Sequence, residues 1–132
     1  MVRNDLQITP IRTIKNNIIN TVKYIIAQLP SADVIFSSIL PRRNIPRQLH
    51  RKRLSLNRAI AHYFTICNLQ NTFVNKKQVF SVVVHNQFTQ QNCPSLVKGS
   101  PDNVHLTNLG NDVFCQGLIQ AIESRALQTT VQ

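Results

Sequence analysis

Acidic side chains are scarce in this chain: five Asp or Glu stand against fifteen Lys or Arg in 132 residues, a formal net charge of +10. Glycine is rarer still, at three, while 42% of the residues are hydrophobic. That balance excludes a disordered tail and points to a packed globule. Cys67, Cys93 and Cys115 are odd in number and form no C-x-x-C pair, which excludes a disulfide framework and a zinc site. Cys67 and Cys115 fall on apolar helical patterns, where a buried free thiol is expected. No apolar run approaches the ~20 residues of a membrane helix, so no membrane span is expected. The opening MVRNDLQITP has no apolar core or cleavage site of a signal peptide, and an internal, cytoplasmic protein is the default.

The length fits one domain, near the lower edge for a complete α/β enzyme. Its charge is unevenly spread. Between Val34 and Pro101 there is no acid, while Arg42, Arg43, Arg47, Arg51, Lys52, Arg53, Arg58, Lys76, Lys77 and Lys98 are all basic. The rest of the chain is balanced. A basic middle attracts phosphates or anionic surfaces. The loop RRNIPRQLHRKR, with Arg42, Arg43, Arg47, Arg51, Lys52 and Arg53, is therefore a candidate nucleic-acid contact through its phosphates. Aromatics amount to 6% of the chain and none interleaves this run, so base-stacking platforms are not expected. A solvated face is the plainer meaning of such charge.

Periodicity places the elements. Residues 10 to 29 carry Ile11, Ile14, Ile18, Val22, Ile25 and Leu29 at helical steps, with Thr9 as the expected cap, Pro10 in the first turn and Pro30 as the stop. ADVIFSSIL, residues 32 to 40, reads as a buried parallel strand. A second helical pattern runs from about Leu54 to Cys67, and NTFVN, residues 71 to 75, reads as another short strand. Residues 79 to 84 fit either a strand or an extended loop. A final helix follows Thr107, its expected cap, with Phe114, Leu118 and Ile122 on one face, and QTTVQ reads as a frayed tail, giving a domain over 1–126 and a disordered tail at 127–132. Alternating helices and strands indicate an α/β fold, three-layer α/β/α with a parallel sheet. Two confident strands cannot cover three apolar helical faces, so the architecture reads as lacking strands on its N-terminal side.

The chemistry-bearing pattern is Asp102-x-x-His105 in SPDNVHLTNLGNDVF. A carboxylate that accepts a hydrogen bond from one imidazole nitrogen fixes the tautomer and stabilises the imidazolium formed in proton transfer. Both residues stand in a loop that leads into a helix, where active sites of open α/β folds lie. The other histidines read as structural or solvated: His50 in the basic loop, His62 on the second helix, His85 at a strand end. Ser37 and Ser38 sit at the end of the first strand with no nucleophile elbow around them, and read as ordinary small strand residues.

The block DNVHLTNLGNDVF resembles the last block of the SGNH (GDSL-type) hydrolases, and VRNDL resembles their G-x-N-D block with Val2 in the glycine's place. VIFSSILPR, the helix that ends near a cysteine, and NTFVN together resemble the esterase-like SGNH domains of some animal retrotransposons. The likeness covers about residues 2 to 126. It implies a flavodoxin-like three-layer fold and an acyl ester hydrolase acting on a small ester, with no cofactor and no metal. By the same likeness His105 is the general base, Asp102 the acid that orients it, and Asn4 the side-chain donor to the oxyanion. The family's nucleophilic serine belongs to a G-D-S block that precedes the asparagine, and only three residues precede Asn4. The expectation is a C-terminal portion of such a domain, inactive by itself.

Overall fold

The computed structural model describes residues 6–131, with side chains described through Arg125. Asn4 lies outside the described residues. The described chain forms two compact units, one of residues 6–36 with Pro46–Val82, the other of Ser37–Ile45 with residues 83–131.

In the first unit, helix α1 (Ile11–Gln28) buries Ile14 and Val22, two turns apart on one face. Its N-cap is Pro10 rather than Thr9, and no side chain caps it. Instead Thr13 and Ile14 donate to the Pro10 carbonyl, at 3.1 and 3.2 Å. The Thr9 carbonyl takes the Lys52 ammonium, which also donates to the Leu6 carbonyl at 2.8 Å. Strand β1 (Val34–Ser37) follows, then helix α2 (Arg47–Phe73) and strand β2 (Phe80–Val83).

Helix α2 is longer than the periodicity over 54–67 predicts, and it corrects the reading of NTFVN as a strand. Asn71, Thr72 and Phe73 form its last turn; the Val74 and Asn75 amides close on the Gln70 and Thr72 carbonyls. Asn75 then takes φ 60°, a left-handed conformation that asparagine tolerates better than most residues. The strand lies instead in the ambiguous 79–84 stretch. Val34 donates to the Val79 carbonyl and Ser38 to that of Val83, both at 3.0 Å, so the two strands advance together and are parallel. The chain is thus α/β, with a two-stranded parallel sheet joined through α2.

The core of this unit sits on α2. Leu56 and Ile60 are fully buried and Phe64 nearly so, with the Phe64 ring edge-on to Phe36 and Phe80 at 6.2 and 5.5 Å between centroids. Each such side chain contributes roughly 1.5–3 kcal/mol by burial. Asn68 acts as a partner for β2: its amide donates to the Phe80 carbonyl at 2.7 Å and accepts from the Phe80 amide at 2.9 Å. A side chain thereby satisfies both backbone groups of a buried strand residue.

The second unit has a separate apolar cluster of Phe88, Cys93, Leu96 and Val97, packed against Leu40, Leu106, Val113 and Phe114. A short helix, α3 (Cys93–Leu96), stands where no helical period marks the sequence. Helix α4 (Asn108–Val131) starts as expected after Thr107, whose hydroxyl accepts from the Gly110 amide at 3.0 Å. It extends beyond the predicted end of the domain at residue 126. Cys67 and Cys93 are buried, but Cys115 is exposed, because the apolar face of α4 at Val113 and Phe114 turns it outward. Among the described residues no helix is long and apolar enough to cross a membrane.

A candidate active site in the second unit

Asp102 and His105 are held by the loop that joins α3 to α4. Val97 and Leu106 pair as an antiparallel bridge, and Lys98 donates to the His105 carbonyl at 2.8 Å, which fixes the two ends of the loop. At its tip, the Asp102 and Asn103 amides donate to the Gly99 carbonyl, and Asn103 adopts φ 58°. The loop base rests on α3: the Thr107 amide donates to the Leu96 carbonyl at 3.0 Å and its hydroxyl to that of Ser95 at 2.7 Å. A Cβ on Gly110 would stand 2.0 Å from the Leu96 carbonyl oxygen, so the contact requires glycine.

Within this frame one oxygen of the Asp102 carboxylate accepts from the Val104 and His105 amides, at 2.9 and 2.6 Å. The other meets His105 Nδ1 at 2.7 Å. The first oxygen builds the turn and the second orients the ring. The His105 backbone amide and ring, then the Val104 amide, hold the Asp102 carboxyl well below the usual carboxylate range. Asp102 is therefore ionised at neutral pH, and His105 Nε2 is the ring nitrogen that points away from it. The His105 side chain is 64% exposed, so a substrate can reach it. The carboxylate–imidazole contact that the spacing suggests is present, at 2.7 Å.

The basic residues named from sequence separate. Arg47 and Arg51 are exposed on α2. Lys52 is committed to the Leu6 and Thr9 carbonyls, and Arg53 is buried with Nη2 3.3 Å from His50 Nδ1. Burial first, and the neighbouring Arg53 charge second, lower the pKa of His50. In the second unit Arg42 is half-buried, and Arg43 lies along the Pro94 and Val97 carbonyls at 3.5 and 3.4 Å. Of the six, Lys52, Arg53 and Arg43 serve the fold's own backbone or interior. Arg58, two helical turns beyond Arg51 on α2, is exposed with Arg47 and Arg51.

A second pair is invisible in the sequence. Ser37 Oγ, at the end of β1, lies 2.7 Å from His85 Nε2, two residues beyond β2. The partners are 48 positions apart, and neither stands in a recognisable motif. The signal that identifies them is topological: both follow the carboxyl ends of adjacent parallel strands. Among the described residues no group of three or more His, Cys, Asp or Glu side chains is placed to hold a metal ion.

Neither a known protein-family model nor a curated protein sequence matches the chain. Its structure is similar to the esterase domain of the ZfL2-1 ORF1 protein from the zebrafish ZfL2-1 retrotransposon, with a TM-score of 0.66 over 92% of this chain at 20% sequence identity. The chain spans 64% of the length of that protein's chain. At this identity the likeness establishes a shared α/β fold.

Proposed function

We propose that the chain is part of an SGNH-type acyl ester hydrolase domain in which His105 is the general base, Asp102 its orienting acid and Asn4 a donor to the oxyanion. The observation that carries this reading is the Asp102–His105 contact, built on a loop whose backbone is pinned on both sides. The structural likeness to a retrotransposon esterase domain supports it independently of the sequence blocks. In an ester hydrolysis His105 Nε2 takes the proton of a serine hydroxyl as that oxygen attacks the carbonyl carbon, then returns it to the departing alcohol. Preorganised donors to the oxyanion contribute roughly 3–4 kcal/mol each where one has been removed from a protease.

The serine that this base serves belongs, on the family pattern, to a Gly-Asp-Ser block upstream of Asn4. Accordingly, the 132 residues by themselves are expected to show no His105-dependent turnover of p-nitrophenyl butyrate. The same chain expressed with the in-frame coding sequence preceding it is expected to turn over, and to lose that turnover in His105→Ala. Turnover of the 132-residue chain that His105→Ala abolishes sinks the requirement for an outside serine. An extended protein indifferent to His105→Ala sinks the hydrolase reading.

A second reading has its own observation. Arg47, Arg51 and Arg58 are exposed at i, i+4 and i+11 on one helix, within about 40° of one another at 100° per residue. Such a row is suited to phosphates, and nucleic-acid association through α2 is the alternative it supports.

A further inference from the structure

We propose that Ser37 and His85 form a hydroxyl–imidazole pair that accepts a neutral acyl group onto Ser37, independently of Asp102 and His105. A serine becomes a nucleophile when a base within hydrogen-bond reach takes its proton and a third group holds that base in place. The 2.7 Å contact between Ser37 Oγ and His85 Nε2 meets the first condition. Packing meets the second. Phe114 stacks on the imidazole at 4.6 Å and 28°, and Phe88 meets it edge-on at 6.0 Å. Against its other nitrogen lies Gly117 of α4, where a Cβ would stand 3.1 Å from Nδ1. A glycine in the middle of a helix costs about 1 kcal/mol relative to alanine, and here it makes room for the ring. Three contacts from two chain segments thus fix the imidazole without a carboxylate.

Burial also lowers the pKa of His85, which leaves the ring neutral and able to accept a proton at physiological pH. With Nδ1 protonated, the Ser37 hydroxyl donates to Nε2, the polarity a nucleophile requires. Ser37 itself is half-buried, not sealed.

On the Nδ1 side of the ring a cleft of about 180 Å³ is lined by His85 with Asn86, Gln87, Gln116 and Gln120 and by no charged side chain, so no charge beside the base favours a carboxylate or phosphate donor. In the reaction Ser37 Oγ bonds to the carbonyl carbon of the ester while its proton passes to His85 Nε2. The carbon–oxygen bond to the alcohol then breaks, and the departing oxygen takes the proton from the imidazolium. The products are an O-acyl serine and one alcohol.

The test treats the purified 132-residue chain with p-nitrophenyl acetate and maps the acetylated peptides. An ester on Ser37 is cleaved by alkaline hydroxylamine, whereas acetyl-lysine is not, so the abundant lysines do not obscure the result. The proposal expects a hydroxylamine-labile acetyl on Ser37 that is absent in Ser37→Ala. Its formation should slow by about 10²-fold or more in His85→Gln, the scale of a lost general base. His105→Ala should leave the rate unchanged, which separates this pair from the hydrolase reading above. Gly117→Ala, which displaces the ring without removing it, should slow the reaction by up to about 10²-fold, and it covers the case of a misfolded His85 variant. Acetyl groups on lysines alone, a Ser37 ester formed equally fast in both His85→Gln and Gly117→Ala, or a rate that follows His105, each overturn it.

Discussion

At the residue scale Asp102 has two tasks, and they can be separated. One oxygen accepts from the Val104 and His105 amides and shapes the turn; the other faces His105 Nδ1. Because those contacts favour the charged form, the folded pKa lies below the unfolded one. The stability they contribute is complete above the ordinary carboxylate pKa and is lost only as pH falls through the depressed folded value. The Asp102 side-chain carboxyl carbon should therefore show no protonation shift in an NMR titration down to pH 4, where an ordinary Asp would already titrate. Asp102→Asn keeps an acceptor for the turn but removes the charge that favours Nδ1–H on His105. Nitrogen shifts of the ring should then show a mixed tautomer, and turnover of the extended protein should fall on the order of 10⁴-fold, as when a triad carboxylate is neutralised. This dyad was legible in the sequence because three positions separate its members and a loop can only fold them together. Ser37 and His85 look like ordinary strand-end residues in sequence, since nothing local marks a contact that strand pairing creates across 48 positions.

At the element scale the helices were legible and their ends were not. The apolar steps in α1 and α2 predict helices because a 3.6-residue period has few other uses. NTFVN misleads because a β-branched and aromatic run also suits a helix terminus when an asparagine can turn left-handed after it, as Asn75 does. The 79–84 stretch is ambiguous in sequence because its partner, β1, lies some forty positions away, and pairing with it is what makes the stretch a strand. The junction of α3 with α4 rests on Gly110, whose missing side chain lets the Leu96 carbonyl approach. Gly110→Ala places a methyl within 2.0 Å of that oxygen, backbone that cannot rotate aside as a side chain can. The expected cost is about 1–3 kcal/mol or more, the scale of forced overpacking. Urea unfolding should show a lower midpoint at unchanged slope. His105 should also lose its preferred tautomer, because the same contact anchors the loop.

At the scale of the whole molecule, the excess of positive charge divides into cations the fold uses and cations it displays. Lys52 bonds two carbonyls, Arg43 follows two more, and Arg53 is buried, so the run that looked like one basic surface in sequence contributes less than its count. Burial of an Arg cannot be read from composition; it follows from Arg53 sharing the face of Leu56 and Ile60 on α2. What remains outward on that helix is Arg47, Arg51 and Arg58, and the nucleic-acid reading stands or falls on them. Each phosphate neutralised on a single strand contributes about 0.7 to the slope of log affinity against log salt. Replacing the three arginines with glutamine should reduce that slope for a labelled poly-uridine by about 2. The same loss of charge on α1, in Arg12→Gln, Lys15→Gln and Lys23→Gln, is the control for net charge alone. If both triple variants change the slope equally, the attraction is diffuse and α2 is not an interface. If the α2 variant alone flattens it while unfolding as the parent does, the row is a phosphate contact that the fold leaves free by turning its other cations inward.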